Sequence, residues 1–172
     1  MKTVKIVKAW CAVSIIALIV AACGAAKKVA DTDTKQWRYE LEAVGVGVQG
    51  TYQVKVWSYS KDAGVAIEQA KKNAVHGIIF KGFAGIRGVP SQKPLVSTPS
   101  ADSERKDFFE PFFADGGGYM KFVNLSNNGA IAPGDRIKIG KEYKIGVVVL
   151  VNVAALRKEL ENAGIVKKLG AI

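Results

Sequence analysis

LEAVGVGVQGTYQVKVWSYS, residues 41–60, is the stretch whose reading decides the fold. Side chains on a strand point alternately to two faces, and this stretch alternates twice. Val44, Val46 and Val48 fall on one side, with Leu41, Ala43, Gly45 and Gly47 on the other. After a turn at Gln49-Gly50, Tyr52, Val54 and Val56 alternate with Gln53, Lys55 and Trp57. Two alternating runs joined by a glycine-bearing turn predict an antiparallel hairpin.

Gly45, Gly47 and Gly50 also spell GxGxxG. A dinucleotide site needs a strand before these glycines, a helix after them and an acidic ribose partner further on. The residues that follow, Thr51 to Trp57, are strand formers, so the context fails. The glycines are read instead as permitting a bulge, a strong twist or close packing of a helix.

Working outward, Ser60 or Asp62 can cap a helix whose apolar positions Ala63, Ala66, Ile67, Ala70, Ala74, Val75 and Ile78 share one face, with Lys71, Lys72 and Asn73 opposite. Glu68 is spaced to pair with Lys71 and Lys72. A stop is expected at Gly77 or soon after, and Ile78 to Phe83 reads as a short third strand. Breakers then dominate a long loop over 84–103, either a mobile excursion or a partner contact. Asp102 or Ser103 can cap a brief helix over Glu104–Glu110. Phe108, Phe109, Phe112 and Phe113 are read as a plug closing one end of the core. Gly116 to Gly118 form a turn before a strand at Tyr119–Leu125. Arg136–Ile139 and Tyr143–Val151 flank a tight turn at Gly140-Lys141. Asn152 caps a last helix with a stripe of Leu156, Leu160 and Ala163, and Gly164 ends it. This order predicts an α+β fold: a mainly antiparallel sheet with two principal helices packed on one face, in a single domain over 37–172.

The inventory of reactive side chains is thin. There is one histidine, His76, and two cysteines, Cys11 and Cys23. His76 falls near a helix end and is assigned a structural role. No GxSxG or phosphate loop is present, so few ways exist to activate a nucleophile. No catalytic residue, cofactor or metal is expected. The enzymatic alternative is a hydrolase, or a small-ligand binder, using carboxylates near the aromatic cluster: Asp107, Glu110 and Asp115.

The chain opens with Lys2, Lys5 and Lys8, an apolar run from Ala9 to Val20, and Val20-Ala21-Ala22-Cys23. A basic start, a short apolar core and small residues at its end read as a secretory signal over 1–22. An uncleaved transmembrane helix, which needs about 20 apolar residues, and an ordinary signal peptide are the competing readings. Cleavage removes three lysines and no acids, lowering the formal charge from +10 to +7. Cys11 leaves with the leader, so no disulfide can form within the mature chain. The lysines are scattered rather than blocked, and no nucleic-acid partner is expected.

Val20-Ala21-Ala22-Cys23 resembles the lipobox of bacterial lipoproteins. That resemblance implies cleavage before Cys23, lipidation of its thiol, and a membrane partner held through that anchor. Residues 23–36 then form a lipidated tether that keeps the domain near the bilayer. Gly24 is not the aspartate linked in enteric bacteria to inner-membrane retention, which implies an outer-membrane address with a periplasm-facing domain. The hairpin followed by a helix carrying Glu68, Ala70 and Ala74 is similar to small α+β domains of envelope lipoproteins and flagellar assembly factors such as the N-terminal domain of FlgT. Together these features imply a non-enzymatic envelope lipoprotein that binds another protein or an envelope polymer.

Overall fold

Strands β1 (Tyr39–Val46) and β2 (Thr51–Ser60) form the expected hairpin in the computed structural model, which describes residues 37–48, 50–98 and 100–168. The leader, Cys11, Cys23, the tether to Gln36, and Leu169 onward lie outside the described residues. The hairpin's second strand pairs with β5 (Glu142–Asn152) from Thr51↔Asn152 to Ser60↔Tyr143 without a break. Two further strands share the other edge of β5 at opposite ends: β3 (Val123–Leu125) beside Val149–Val151, and β4 (Arg136–Ile139) beside Glu142–Ile145. Every pairing is antiparallel.

The inner seam of this sheet is made by alternate residues of the two central strands. Val54, Val56, Ile145, Val147, Val149 and Val151 are wholly buried. Removing each such side chain from water is worth about 1.5–3 kcal/mol. β5, paired on one edge with β2 and on the other with β3 and β4, is the central strand, and its nearly continuous apolar sequence suits that place.

On β1 the alternation holds only as far as Ala43. The register shifts between Ala43 and Gly45, so Ala43 faces Val54, Gly45 faces Gln53 and Val46 faces Tyr52. Val44 is the extra residue. Bulges insert one residue and reverse the side-chain parity beyond them. Val44, Val46 and Val48 accordingly do not form one buried row, and all three are exposed.

Helix α1 (Ala63–Phe80) starts where expected, with Asp62 Oδ1 accepting from the amides of Gly64 and Val65 at 2.7 and 3.4 Å. It runs past the expected stop. Gly77 is a contact point inside the helix: a Cβ there would collide with Leu41 Cδ1 and lie 3.1 Å from the Tyr39 ring. Of the residues read as a third strand, Ile78 to Phe83, the first three are its last turn and Lys81 is its C-cap. That turn's free carbonyls are met by the returning chain. Leu95 N donates to Ile78 O at 3.2 Å and Val96 N to Ile79 O at 3.0 Å, so helix-end acceptors that would otherwise need water are satisfied. Between them, residues 83–92 form a narrow ribbon closed by Phe83–Gln92 and Ile86–Val89 backbone pairs.

Two short helices follow, α2 (Ala101–Glu104) and α3 (Lys106–Phe112), joined at non-helical Arg105. α2 begins inside the stretch read as loop. A 3₁₀ turn over Gly118–Phe122 takes most of the expected Tyr119 strand, leaving only β3 in the sheet. Helix α4 (Val153–Asn162) is capped by Asn152 Oδ1, which accepts from Ala155 N at 2.9 Å. Gly50, at φ 78°, packs its bare Cα against Ala154.

The fold is α+β with an antiparallel sheet, but four α-helices occur among the described residues rather than two principal ones. Only α1 lies across β2 and β5 along its length; α3 and the 3₁₀ turn stack against α1 itself. The extra layer arises because the aromatic segment covers a helix face that the sequence pattern left to solvent.

Two glycines test the ribbon's construction. Gly82 and Gly88 both have positive φ, 68° and 83°, but a Cβ on Gly82 would collide with Gln92 O while one on Gly88 meets nothing within 4 Å. Gly88→Ala should therefore cost about 1–2 kcal/mol, the left-handed penalty alone. Gly82→Ala should cost about 1–3 kcal/mol more, the usual range for overpacking. Urea denaturation of both variants checks the difference.

Candidate functional site

Cys23, the residue assigned to lipidation, lies outside the described residues. The three carboxylates considered for catalysis are inside, with different partners. Asp107 is exposed and pairs with Arg105 at 3.5 Å. Asp115 accepts from Lys72 Nζ at 3.0 Å. Glu110 is exposed on α3, and its charge adds to the burial that holds the Asp102 carboxyl above its ordinary range, against the pull of Lys106. The fold thus does not bring the three to one point. Among the described residues no group of three or more His, Cys, Asp or Glu is gathered as a metal ion would require.

What the fold does assemble is a polar stripe on α1. Gln69, Lys72, Asn73 and His76 are all buried, although Lys72 and Asn73 were expected on a solvated face. Asn73 Nδ2 donates to Ser58 Oγ at 3.0 Å. Lys72 reaches Asp115 and sits 5.8 Å from the centre of the Tyr119 ring. Lys71, itself largely covered, keeps the expected pair with the exposed Glu68 at 2.7 Å.

His76 is the centre of an aromatic box. The Trp37 indole stacks on it at 3.7 Å, with Phe80 at 4.7 Å and Phe113 at 5.6 Å. Tyr39 OH lies 2.6 Å from His76 Nδ1. Burial, with the nearby Lys81 charge adding to it, lowers the imidazole to about 3, so the ring is neutral near pH 7. Burial also raises the Tyr39 phenol. With both groups neutral the phenol donates and Nδ1 accepts, which puts the ring proton on Nε2. The Lys81 ammonium covers the other part of this wall, 4.0 Å from the Tyr39 ring, and burial lowers its pKa.

The outer face of the sheet carries a ladder of cations and rings. Arg38 lies 4.1 Å over Tyr59, Lys144 lies 5.1 Å from Trp57, and Lys55 lies 5.4 Å from Trp57 on its other flank. Each cation also has an acid: Arg38 has Glu142 at 2.9 Å, Lys144 has Glu40 at 2.7 Å and Lys55 has Asp135 at 2.8 Å. Hydrogen bonds from Lys144 and Tyr59 hold the Glu40 carboxyl below the usual range. Trp57 lies flat over Gly146, whose missing side chain makes room for it. This face is internally matched and leaves little charge for a partner.

Unmatched surface is found at the sheet's margins and on the ribbon. β4 is exposed along its whole length, with Ile137 and Ile139 nearly half open to solvent. It pairs only with β5, so its other edge is free among the described residues. An open pocket of about 440 Å³ lies where the ribbon returns, lined by Phe80, Lys93, Pro94, Val96 and Ser97. No helix among the described residues is long and apolar enough to cross a membrane.

Comparison with protein-family models, curated proteins and solved structures finds no match.

The aromatic box sets an acid limit on stability. Unfolded, His76 binds a proton as pH falls through about 6.5; folded, it resists until about 3. The proton therefore favours the unfolded chain throughout that window, and stability falls with acidification by about 1.4 kcal/mol per pH unit from this group. Above pH 6.5 both states are neutral and the contribution is flat. Urea denaturation from pH 7.5 to 4 should show a steeper decline for the parent than for His76→Gln.

Proposed function

We propose that the chain is a bacterial envelope lipoprotein: a signal peptide over 1–22 is removed, Cys23 is lipidated, and residues 23–36 tether an α+β domain that faces the periplasm from the outer membrane. The observation that carries this reading is the placement of Cys23 directly after Ala21-Ala22 at the end of an apolar run with a basic start. A thioether-linked diacylglyceryl group supplies two chains, enough for stable anchoring where one chain is marginal.

The domain's role on this reading is to bind a protein or envelope polymer without catalysis. Support comes from the free, exposed edge of β4. A strand edge offers unpaired amides and carbonyls to an extended partner, and alternate side chains, here Ile137 and Ile139, add apolar contact. Asp107 and Asp115 are each paired with a different cation, Arg105 and Lys72, which favours the binding reading over the hydrolase alternative.

Two measurements test this. Cys23→Ser should abolish incorporation of a fatty-acid analogue and move the protein out of the membrane fraction; undiminished labelling sinks the anchor. A photo-crosslinker at Ile139 should capture a discrete envelope component, and insertion of proline at Lys138 should remove it by blocking strand addition. Equal capture from Ile139 and from exposed Lys158 on α4 would show that the edge is not the binding surface.

A further inference from the structure

The net charge of the mature chain is concentrated. Between Glu68 and Asp102 there is no acidic residue, while Lys71, Lys72, Lys81, Arg87 and Lys93 all fall there. That one stretch supplies five of the net seven positive charges. Lys71 and Lys72 are paired with Glu68 and Asp115, and Lys81 lies on the Tyr39 ring. Arg87 and Lys93 are exposed and have no ion pair among the described residues. They contrast with the cations of the outer sheet face, each of which has an acid.

The ribbon that carries them is firmly built. Phe83 and Val89 are buried, as are Leu95 and Val96 behind them. Two pairs of reciprocal backbone hydrogen bonds close it, Phe83 with Gln92 and Ile86 with Val89, at 2.9–3.1 Å. Its tip holds Ile86, 52% exposed, next to Arg87. Phe83 packs edge-on against Tyr52 at 5.5 Å, and Tyr52 is the cross-strand partner of Val46. Directly opposed residues share a sheet face, so Val46, 54% exposed, lies on the same side as the ribbon, and Val48 beyond it is 82% exposed. Aliphatic side chains and two cations without an ion pair among the described residues, on a stretch of chain that carries no acid, thus lie at one margin of the domain.

We infer that this margin is a second membrane contact, in which Arg87 and Lys93 meet anionic lipid headgroups while Ile86 enters the interfacial layer. The inference rests on the anchored reading of Cys23. The chain from Cys23 to Trp37 spans at most about 50 Å even fully extended, which holds the domain at high effective concentration beside the bilayer. The tether thereby raises the occupancy of a contact that is only modest for the free protein. The charge pattern selects lipid over a second copy of the chain, because two such margins would repel. Each basic residue close to an anionic surface contributes about a fivefold gain in affinity.

Mature chain with Ile86→Cys has one free thiol, since Cys11 leaves with the leader and Cys23 carries lipid. A polarity-sensitive fluorophore there, on lipidated protein in phosphatidylcholine vesicles with phosphatidylglycerol, should shift to the blue and be quenched by a bilayer-embedded quencher. Both signals should vanish in pure phosphatidylcholine and for a control label at Lys158. They should also vanish when Arg87 and Lys93 are both changed to Ala, whose circular dichroism and urea midpoint should match the parent. A label equally exposed in both lipids overturns the inference. So does one shielded equally in detergent, which would mark contact between copies. If Cys23 carries no lipid, the anchor reading fails on its own, and the margin is still read by adding the same protein to the same vesicles. There, sedimentation weakened about 25-fold by the double Ala variant supports the contact, and no sedimentation overturns it.

Discussion

Burial of α1 on two sides is the constraint on which the rest of the domain depends. One side lies on the sheet through Ala66, Ala70, Ala74 and Gly77, residues small enough to let the helix approach. The other side carries Lys72 and His76, covered by the segment from Arg105 to Phe122, while Asn73 faces the sheet. Burying polar groups without partners costs several kcal/mol, so this cover forms only in an arrangement that answers them. Ser58 answers Asn73 from the sheet, Tyr39 answers His76 from the edge strand and Asp115 answers Lys72 from the cover. Three structural layers are thereby set in register by hydrogen bonds with specific geometry. Gln69 Nε2 and Trp57 Nε1 are buried without a hydrogen-bond partner among the described residues, a local cost that the apolar packing around them must exceed.

The same stripe fastens the start of the domain. Trp37 adopts φ 44°, an unfavourable conformation for a residue with a side chain. It is held there by stacking on His76 and by an edge-on contact with Phe113. Trp37, the first described residue, is thus bound to the buried helix rather than to a surface loop, and Phe113, from the α3 segment, closes the box. The phenylalanine cluster does more than plug one end of the core: Phe109 meets Phe80, Phe113 meets His76 and Trp37, and Phe112 meets Phe122. Edge strand, central helix and covering segment meet at this one histidine.

What the sequence disclosed follows from which signals are local. The hairpin, the Asp62 and Asn152 caps, the β4–β5 turn and the Gly164 stop rest on alternation, capping oxygens and φ-permissive glycines within a few residues. Alternation misled at Val44, where one inserted residue swaps the faces; the glycines beside it were read as permitting a bulge, but alternation alone does not place the extra residue. Gly77 misled because a glycine near a helix end has the same letter whether it stops the helix or lets Leu41 approach. Ile78 to Phe83 has the apolar content of a strand, yet a helix covered on two sides is apolar all round as well. The expected strand at Tyr119 became a 3₁₀ turn because Tyr119 and Phe122 are needed together on the cover, at a three-residue spacing. The proposal for Cys23 rests on sequence alone, because that residue lies outside the described residues. The aromatic box was not legible at all, since Trp37, His76 and Phe113 are far apart in the chain.

The distribution of charge separates the faces of this domain more sharply than its hydrophobicity does. On the outer sheet face, Arg38, Lys55 and Lys144 are each neutralised by an acid and lie against a ring, so their fields are spent within a few ångströms. Such pairs contribute at most modestly to stability at an exposed surface, but they make the face electrically quiet. The ribbon's cations have no such neighbours in the chain, and its backbone hydrogen bonds hold them outward on a fixed frame. At physiological ionic strength an unpaired charge acts over about 8 Å, a distance that reaches a surface in contact and little further. A basic margin of this kind cannot gather a partner from afar. It acts only on what is already adjacent, which is the circumstance the proposed lipid tether would create.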